Sequence, residues 1–316
     1  MAMEWSGLTA GVTGGAGFIG SHLVDALLAS GASVVVLDDC SSGKASQVPD
    51  SARLVRGSIV DPDTRREAFA DCDAIFHMAA IASVVRCEED PELSATVNRQ
   101  ASLDMLAEAG VNGAGAFVFA SSAAIYGEPQ HLPITESHPI TPLATYGADK
   151  AAVDEAITTL GIEDVPATAL RFFNVYGPRQ DPSSPYSGVI SIFTLRALSR
   201  EGVTIFGDGL QTRDFVHVSD VVSAMMAAGE SLLTHGTASP AHATPFNVCS
   251  GETVTLLDVV ATLDTITQQP MDVTNAPARS GEIRDSFGDP SFLMETLGWT
   301  PKVALQEGLR DLLDQQ

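Results

Sequence analysis

The stretch Thr13-Gly14-Gly15-Ala16-Gly17-Phe18-Ile19-Gly20 constrains this chain more than any other segment. It follows an apolar run at 8–13 and opens a predicted helix over 22–30. A second apolar run, 33–37, ends in Asp38. Strand, glycine turn, helix, strand and acid in that order are the fingerprint of a dinucleotide-binding βαβ unit. The glycines act separately. Gly14 permits the tight turn, Gly17 lets backbone approach a pyrophosphate, and Gly20 lets helix and strand pack closely. The helix N-terminus offers free N–H groups to phosphates. Asp38 lies 18 residues beyond Gly20, where a carboxylate takes the two ribose hydroxyls and repels a 2′-phosphate. The cofactor implied is therefore NAD rather than NADP.

The alternation continues down the chain. Runs at 53–57, 74–77, 116–121 and 167–172 read as buried strands. Helical patterns fall at 23–28, 63–70, 94–109 and 146–160. This is an α/β chain with a doubly wound parallel sheet. After Asn174 the texture changes. Residues 176–185 form a turn-rich stretch too long for a simple connection, a candidate binding loop. A helix at 189–200, short strands at 203–206 and 214–218, and a helix at 220–233 follow. With no repeat and no long linker, a second, smaller α/β domain is expected to be interleaved with the first. The expected division is 1–174 plus about 214–248 for the cofactor, and about 175–213 plus 249–316 for the substrate.

Forty acids face 17 bases, a net charge of −23. Such a surface repels nucleic acid and anionic lipid. It reads as adaptation to a salty cytoplasm, where salt screens the repulsion between carboxylates. No apolar run is long enough to span a membrane, and the first residues do not read as a signal peptide. The four cysteines form no CxxC and the seven histidines form no HxxxH pair. No metal site is expected, and the thiols read as reduced in a cytoplasmic protein.

Tyr146 and Lys150 stand four apart, on one face of a helix. The ammonium and a positive nicotinamide ring both favour phenolate, so the Tyr146 pKa is expected to fall toward a useful general base. Lys150 is one of only three lysines. Ser122 closes the strand 116–121, where ligands gather in a parallel sheet, and its hydroxyl can share a proton with phenol and substrate. Strand-end capping is the plainer role for it.

The glycine motif, the Ser122 strand end and the Tyr146/Lys150 pair resemble extended short-chain dehydrogenases/reductases. The segments Leu170-Arg171-Phe172-Phe173-Asn174-Val175-Tyr176-Gly177-Pro178 and Gly207-Asp208-Gly209-Leu210-Gln211-Thr212-Arg213-Asp214-Phe215-Val216-His217-Val218 resemble the nucleotide-sugar epimerase/dehydratase branch, in particular UDP-glucose 4-epimerase-like proteins. The resemblance runs from about Leu8 to Leu312 and implies a Rossmann-type fold. By motif it implies a catalytic triad of Ser122, Tyr146 and Lys150. It places Asp38, Asp39, Ser42, Gly43 and Lys44 on the adenosine half of NAD, with Ser58 and Ile59 at the adenine. Gly14, Gly17, Phe18, Ile19 and Gly20 hold the pyrophosphate. Ala79, Ala80, Asn98 and Phe173 lie along the cofactor. Asn174, Val189, Arg213, Arg279 and Glu282 hold the nucleotide diphosphate of a UDP-sugar, and Ser83 contacts the sugar. Two arginines suit a diphosphate, because the guanidinium fork binds oxygens bidentately. An ion pair of Arg213 with Asp208 or Asp214 is the plainer alternative. A homodimer through the helix before residue 110 and the helix of Tyr146 is also implied.

Three departures matter. Ser58 stands where related sequences carry Asp. The strand-end triplet is Ala120-Ser121-Ser122, with smaller neighbours than usual. Ala123-Ala124 replace the Asp-Glu that dehydratases place after the catalytic hydroxyl, which argues against dehydration. Ser286 aligns with the position that gates the C2 substituent, and a small residue there admits N-acetyl groups. The reading is 4-epimerisation of UDP-glucose/UDP-galactose, with UDP-N-acetylglucosamine as a further substrate. A UDP-glucuronate epimerase or decarboxylase using Arg284 or Arg86, and a non-enzymatic NAD sensor, are the alternatives.

Overall fold

The computed structural model describes residues 5–158, 165–181, 188–278 and 283–314. Its elements in chain order are β1 (Thr9–Thr13), α1 (Phe18–Ala29), β2 (Ser33–Asp38), β3 (Arg53–Arg56), α2 (Pro62–Phe69), β4 (Ala74–His77), α3 (Val84–Glu89), α4 (Pro91–Ser94), α5 (Ala101–Val111), β5 (Ala116–Ser122), α6 (Thr145–Thr158) and β6 (Ala167–Phe172). Then come β7 (Asn174–Tyr176), α7 (Val189–Ser199), β8 (Val203–Phe206), β9 (Thr212–Arg213), β10 (Phe215–His217), α8 (Val218–His235), β11 (Pro245–Val248), β12 (Val254–Thr255), α9 (Leu256–Thr267), β13 (Val273–Ala276), β14 (Asp285–Ser286), α10 (Ser291–Leu297) and α11 (Leu305–Asp314).

Seven strands form one parallel sheet in the order β11-β6-β5-β4-β1-β2-β3. Strands covered on both faces must be apolar at successive positions, which is why they read as continuous hydrophobic runs in the sequence. Alternation then sorts the side chains. Val118 and Ala120 join a core with Leu23, Leu27, Val221 and Met225 of α1 and α8. Phe117 and Phe119 turn the other way, onto Phe69, Met105 and Val153 of α2, α5 and α6. The expected doubly wound α/β architecture is thus present.

A second core gathers α7, α9 and α11 around Phe193, Val259 and Leu309. Short pairings extend it: β7 with β10, β8 with β13, and β9 with both β12 and β14. The chain enters this lobe at residue 175, returns through α8 and β11, and leaves again after Val248. The tail is less simply divided than the sequence implies. Leu293 of α10 and Trp299 pack into the core beside α1 and α8, and the Trp299 indole donates to the Asp220 carbonyl and the Ser223 hydroxyl.

Candidate functional site

Where β1, β4, β5 and β6 end, the sheet opens into a cleft between its own edge and the second lobe. The glycine turn forms one wall. No side chain caps the N-terminus of α1, so its first N–H groups are left for a ligand. A Cβ at Gly20 would collide with the Gly14 carbonyl oxygen, so helix and turn meet closely only with glycine there. Phe18 and Ile19 begin α1 beside Gly17, the residue at its N-cap. Asp38 is buried and braces the same turn: Ala16 N donates to one carboxylate oxygen at 2.9 Å and Cys40 N to the other at 2.7 Å. Lys44 N donates to the Ala16 carbonyl at 2.9 Å, which brings Ser42, Gly43 and Lys44 against the glycine turn. Asp39 is exposed and accepts from Ser41 N. Ser58 accepts from Val60 N in the turn after β3, and Ile59 beside it is buried. The uncapped helix end and the glycine-lined approach fit a pyrophosphate, and the buried acid fits a ribose.

One wall residue escapes a reading of the sequence. His77 ends β4 directly opposite Thr13 and is fully buried. Ser102 spends its hydroxyl proton on the Asn98 carbonyl, so His77 Nε2 must donate to the Ser102 oxygen, 2.8 Å away. Nδ1 is then bare and accepts from the Thr13 hydroxyl at 2.7 Å. The Thr13 oxygen in turn accepts from Met78 N and Ala79 N, each at 2.9 Å. The network fixes the tautomer as Nε2–H. Burial, with Lys150 and Arg65 nearby, pushes His77 down to about 3. The only signal in the sequence is a polar residue at the end of each of two apolar runs. Asn98 is buried too. Its side chain accepts from Ile81 N and donates to the Ile81 carbonyl, shaping the segment after Ala79 and Ala80. Ser83 caps α3 by accepting from Arg86 N.

Ser122, Tyr146 and Lys150 come together at the end of β5. Gly147 makes this possible, since a Cβ there would lie 2.6 Å from the Ala124 carbonyl oxygen and hold α6 away. Ser122 is the neighbouring side chain that favours ionisation of the Tyr146 phenol. Ser122 also caps the turn Ala123–Ile125, accepting from Ala124 N at 3.2 Å, so its capping and site roles coexist. Lys150 is 2% exposed; its Nζ donates to the Ala120 carbonyl at 2.7 Å and lies 4.6 Å from the Phe119 ring centroid. Burial holds that ammonium down at about 8.

The part of the expected lowering of Tyr146 that was assigned to Lys150 is not seen in the chain by itself. Desolvation pushes the phenol up to about 12, and Ser122 only partly offsets it. Lys150 turns its charge to Ala120 and sits 6.0 Å from the Tyr146 ring centroid, so the ammonium alone does not make the phenolate.

Across the cleft, Asn174, Val189 and Arg213 line a cavity of about 410 Å³ with Phe206 and Gln211. The N-terminus of α7 opens onto it at Val189. Arg213 donates to the Thr212 and Arg284 carbonyls. Asp208 and Asp214, two local acids that the sequence offers to Arg213, are each engaged elsewhere. Asp208 pairs with Arg284 at 3.0 Å. Asp214 is buried and collects the N–H groups of Ser250, Gly251 and Gly288. Ser286 lies beside Arg213 in the β9–β14 register. Phe173 is buried among Ile125, Tyr126 and Ile134. Arg279 and Glu282 lie outside the described residues, as does most of the loop after Asp181. Among the described residues no group of three His, Cys, Asp or Glu could hold a metal, and no helix is long and apolar enough to cross a membrane.

The chain is similar to known proteins over almost its whole length. A UDP-glucose 4-epimerase from Mycolicibacterium smegmatis is 38% identical over 306 residues, spanning 94% of this chain and 95% of its own. The crystal structure of a Thermotoga maritima UDP-glucose 4-epimerase with UDP-glucose superposes with a TM-score of 0.91 at 37% identity, covering 98% of each chain. A Methanobrevibacter ruminantium UDP-N-acetylglucosamine 4-epimerase, in complex with UDP-N-acetylmuramic acid, superposes with a TM-score of 0.91 at 32% identity, again covering 98% of each chain. Residues 10–249 match the profile of the NAD dependent epimerase/dehydratase family, and the chain belongs to that family.

Proposed function

We propose that the protein is an NAD-dependent UDP-sugar 4-epimerase that interconverts UDP-glucose and UDP-galactose. The observation that carries this reading is the placing of Tyr146 beside Ser122 at a strand end, with buried Lys150 on the same helix and no acid following Ser122. Ala123 and Ala124 follow Ser122 and bring no carboxylate that could expel water from the sugar.

When bound, NAD would supply reversible hydride acceptance from the sugar C4. The chain does the rest. Tyr146 takes the proton of the sugar 4-hydroxyl, and Ser122 holds that oxygen through a shared hydrogen bond. A positive nicotinamide ring near the phenol, raised to about 12 in the chain alone, would favour its ionised form. Lys150, already down at about 8, adds positive charge at the cofactor side. Arg213, Asn174, Val189 and the N-terminus of α7 hold the nucleotide diphosphate, with Arg279 and Glu282 completing the set. A tightly held diphosphate and a loosely held sugar let the 4-keto sugar turn over between the two hydride transfers. Asp38 and Asp39, Ser42 to Lys44, Ser58, Ile59, Ala79, Ala80, Asn98 and Phe173 serve the cofactor, directly or through backbone.

In this reading 1–174 plus 214–248 serve NAD, and 175–213 plus 249–316 serve the nucleotide sugar. The protein works in a salty cytoplasm as a homodimer joined through α5 and α6.

Ser286 beside Arg213, and the similarity to an N-acetylglucosamine epimerase, favour acceptance of UDP-N-acetylglucosamine as well. Arg284 is engaged by Asp208, which speaks against its holding a sugar carboxylate.

Product analysis by NMR tests all of this. Purified protein in molar KCl, without added cofactor, is incubated with UDP-glucose, UDP-N-acetylglucosamine and UDP-glucuronate in turn. The 4-epimers of the first two are expected, because NAD is regenerated each turnover and stays bound. No epimer from UDP-glucose despite bound NAD refutes the activity. Good turnover of UDP-glucose with none of the N-acetyl sugar refutes the role of Ser286.

A further inference from the structure

Arg171 lies in β6, 2% exposed, and serves three partners. Its Nε and Nη2 donate to the two Asp154 carboxylate oxygens at 3.0 and 2.7 Å. Its Nη1 donates to the Tyr126 hydroxyl and to the Glu136 carbonyl, each at 2.9 Å. Asp154 stands on α6, two turns beyond Tyr146, and also accepts from the Ser121 hydroxyl at 2.7 Å. This end of the network therefore holds the helix of Tyr146 and Lys150 against the strand that ends in Ser122.

The other end reaches the second lobe. Tyr126 donates to Asn247 Oδ1 at 2.6 Å, and Asn247 Nδ2 donates to the Ile134 carbonyl at 2.9 Å. Ile134 N donates to the Phe287 carbonyl, and the Ile134 carbonyl accepts from Asp289 N, both at 2.9 Å. Phe287 directly follows Ser286. A continuous set of hydrogen bonds thus runs from the catalytic helix to the strand beside Arg213. Tyr126, Asp154 and Asn247 are fully buried, so none touches a ligand.

Burying these charges costs desolvation, and an apolar core would pack as firmly. Apolar packing is non-directional, whereas a bidentate fork fixes distance and angle together. We propose that Arg171, Tyr126 and Asn247 form a positioning unit. It sets the Ser122–Tyr146 pair at a fixed height against the strand carrying Ser286, so that C4 stays within reach of the phenol while the sugar turns over. The proposal rests on the epimerase reading of the site.

Tyr126→Phe removes one hydroxyl and keeps the ring. The kcat for UDP-glucose is expected to fall about tenfold. The KM, and the UDP affinity measured by titration calorimetry, are expected to hold. Amide exchange at Ile134 and Asp289 is expected to rise about fivefold, with α6 unchanged. Arg171→Lys keeps the charge but loses the fork, and is expected to lower kcat further. Unchanged kcat with unchanged exchange overturns the proposal. A matching loss of UDP affinity overturns it too, since that marks a general structural defect. A parent protein that does not turn over UDP-glucose fails only the epimerase reading, and the exchange comparison then decides the positioning claim by itself.

Discussion

Lys150 is committed to the Ala120 carbonyl and Ser122 is fixed at the strand end, so in the proposed mechanism Tyr146 is the group whose proton moves. Tyr146→Phe is expected to lower kcat by about 10² to 10⁴ while the protein still purifies with NAD, read by steady-state kinetics and cofactor release. A variant that keeps turnover would return Tyr146 to a surface role. His77 makes a separate prediction about pH. Its folded pKa is about 3, below the ordinary value of 6.5, so between those values the unfolded chain binds a proton that the folded one does not. Stability must then fall as pH drops from 6.5 toward 3, by up to ~1.4 kcal/mol per pH unit from this group. Denaturant titrations across that window should show a shallower slope for His77→Asn than for the parent. Nitrogen NMR should report a neutral Nε2–H ring that does not titrate above about pH 5; a ring titrating near its ordinary value would refute the network.

Individual elements owe their placing to contacts between chain segments. Helix α1 approaches the glycine turn only because Gly20 has no side chain. Gly20→Ala forces turn or helix to shift, and the NAD retained through purification is expected to fall about tenfold, with far-UV circular dichroism unchanged. Full retention would show that the turn absorbs a methyl. Helix α6 obeys the same logic at Gly147. The YxxxK spacing was legible as one helical face, but its meeting with Ser122 depends on a glycine whose reason lies in the Ala124 carbonyl. Five of the sheet's seven strands, β1, β2, β4, β5 and β6, were legible nearly residue for residue, since a strand covered on both faces must be apolar throughout; β3, read as buried, lies at the sheet edge and is largely exposed, and β11 was not read from the sequence. Helix α10 carries no comparable mark, and nothing local says that Leu293 and Trp299 side with the first core.

Charge acts on the whole molecule. A net charge of −23 repels itself in the folded state, and salt screens that repulsion. The thermal midpoint is expected to rise steadily as KCl is raised from roughly 0.1 M to molar concentrations, where the Debye length shrinks to about 3 Å. A midpoint that ignores salt would separate the acid excess from stability. The sequence by itself determined the central strands of the sheet, the glycine turn, the acid that closes β2 and the helix bearing Tyr146 and Lys150. Each of these is written within a short stretch of chain as periodicity, spacing or a special backbone need. Only the tertiary structure decided that Asp208 takes Arg284 while Arg213 donates to the Thr212 and Arg284 carbonyls. It alone decided that Asp214 serves backbone amides, that Lys150 reaches Ala120, and that Tyr146 is raised rather than lowered. These outcomes turn on residues far apart in the chain. Burial and the competition among partners settle them, and neither exists until the chain has folded.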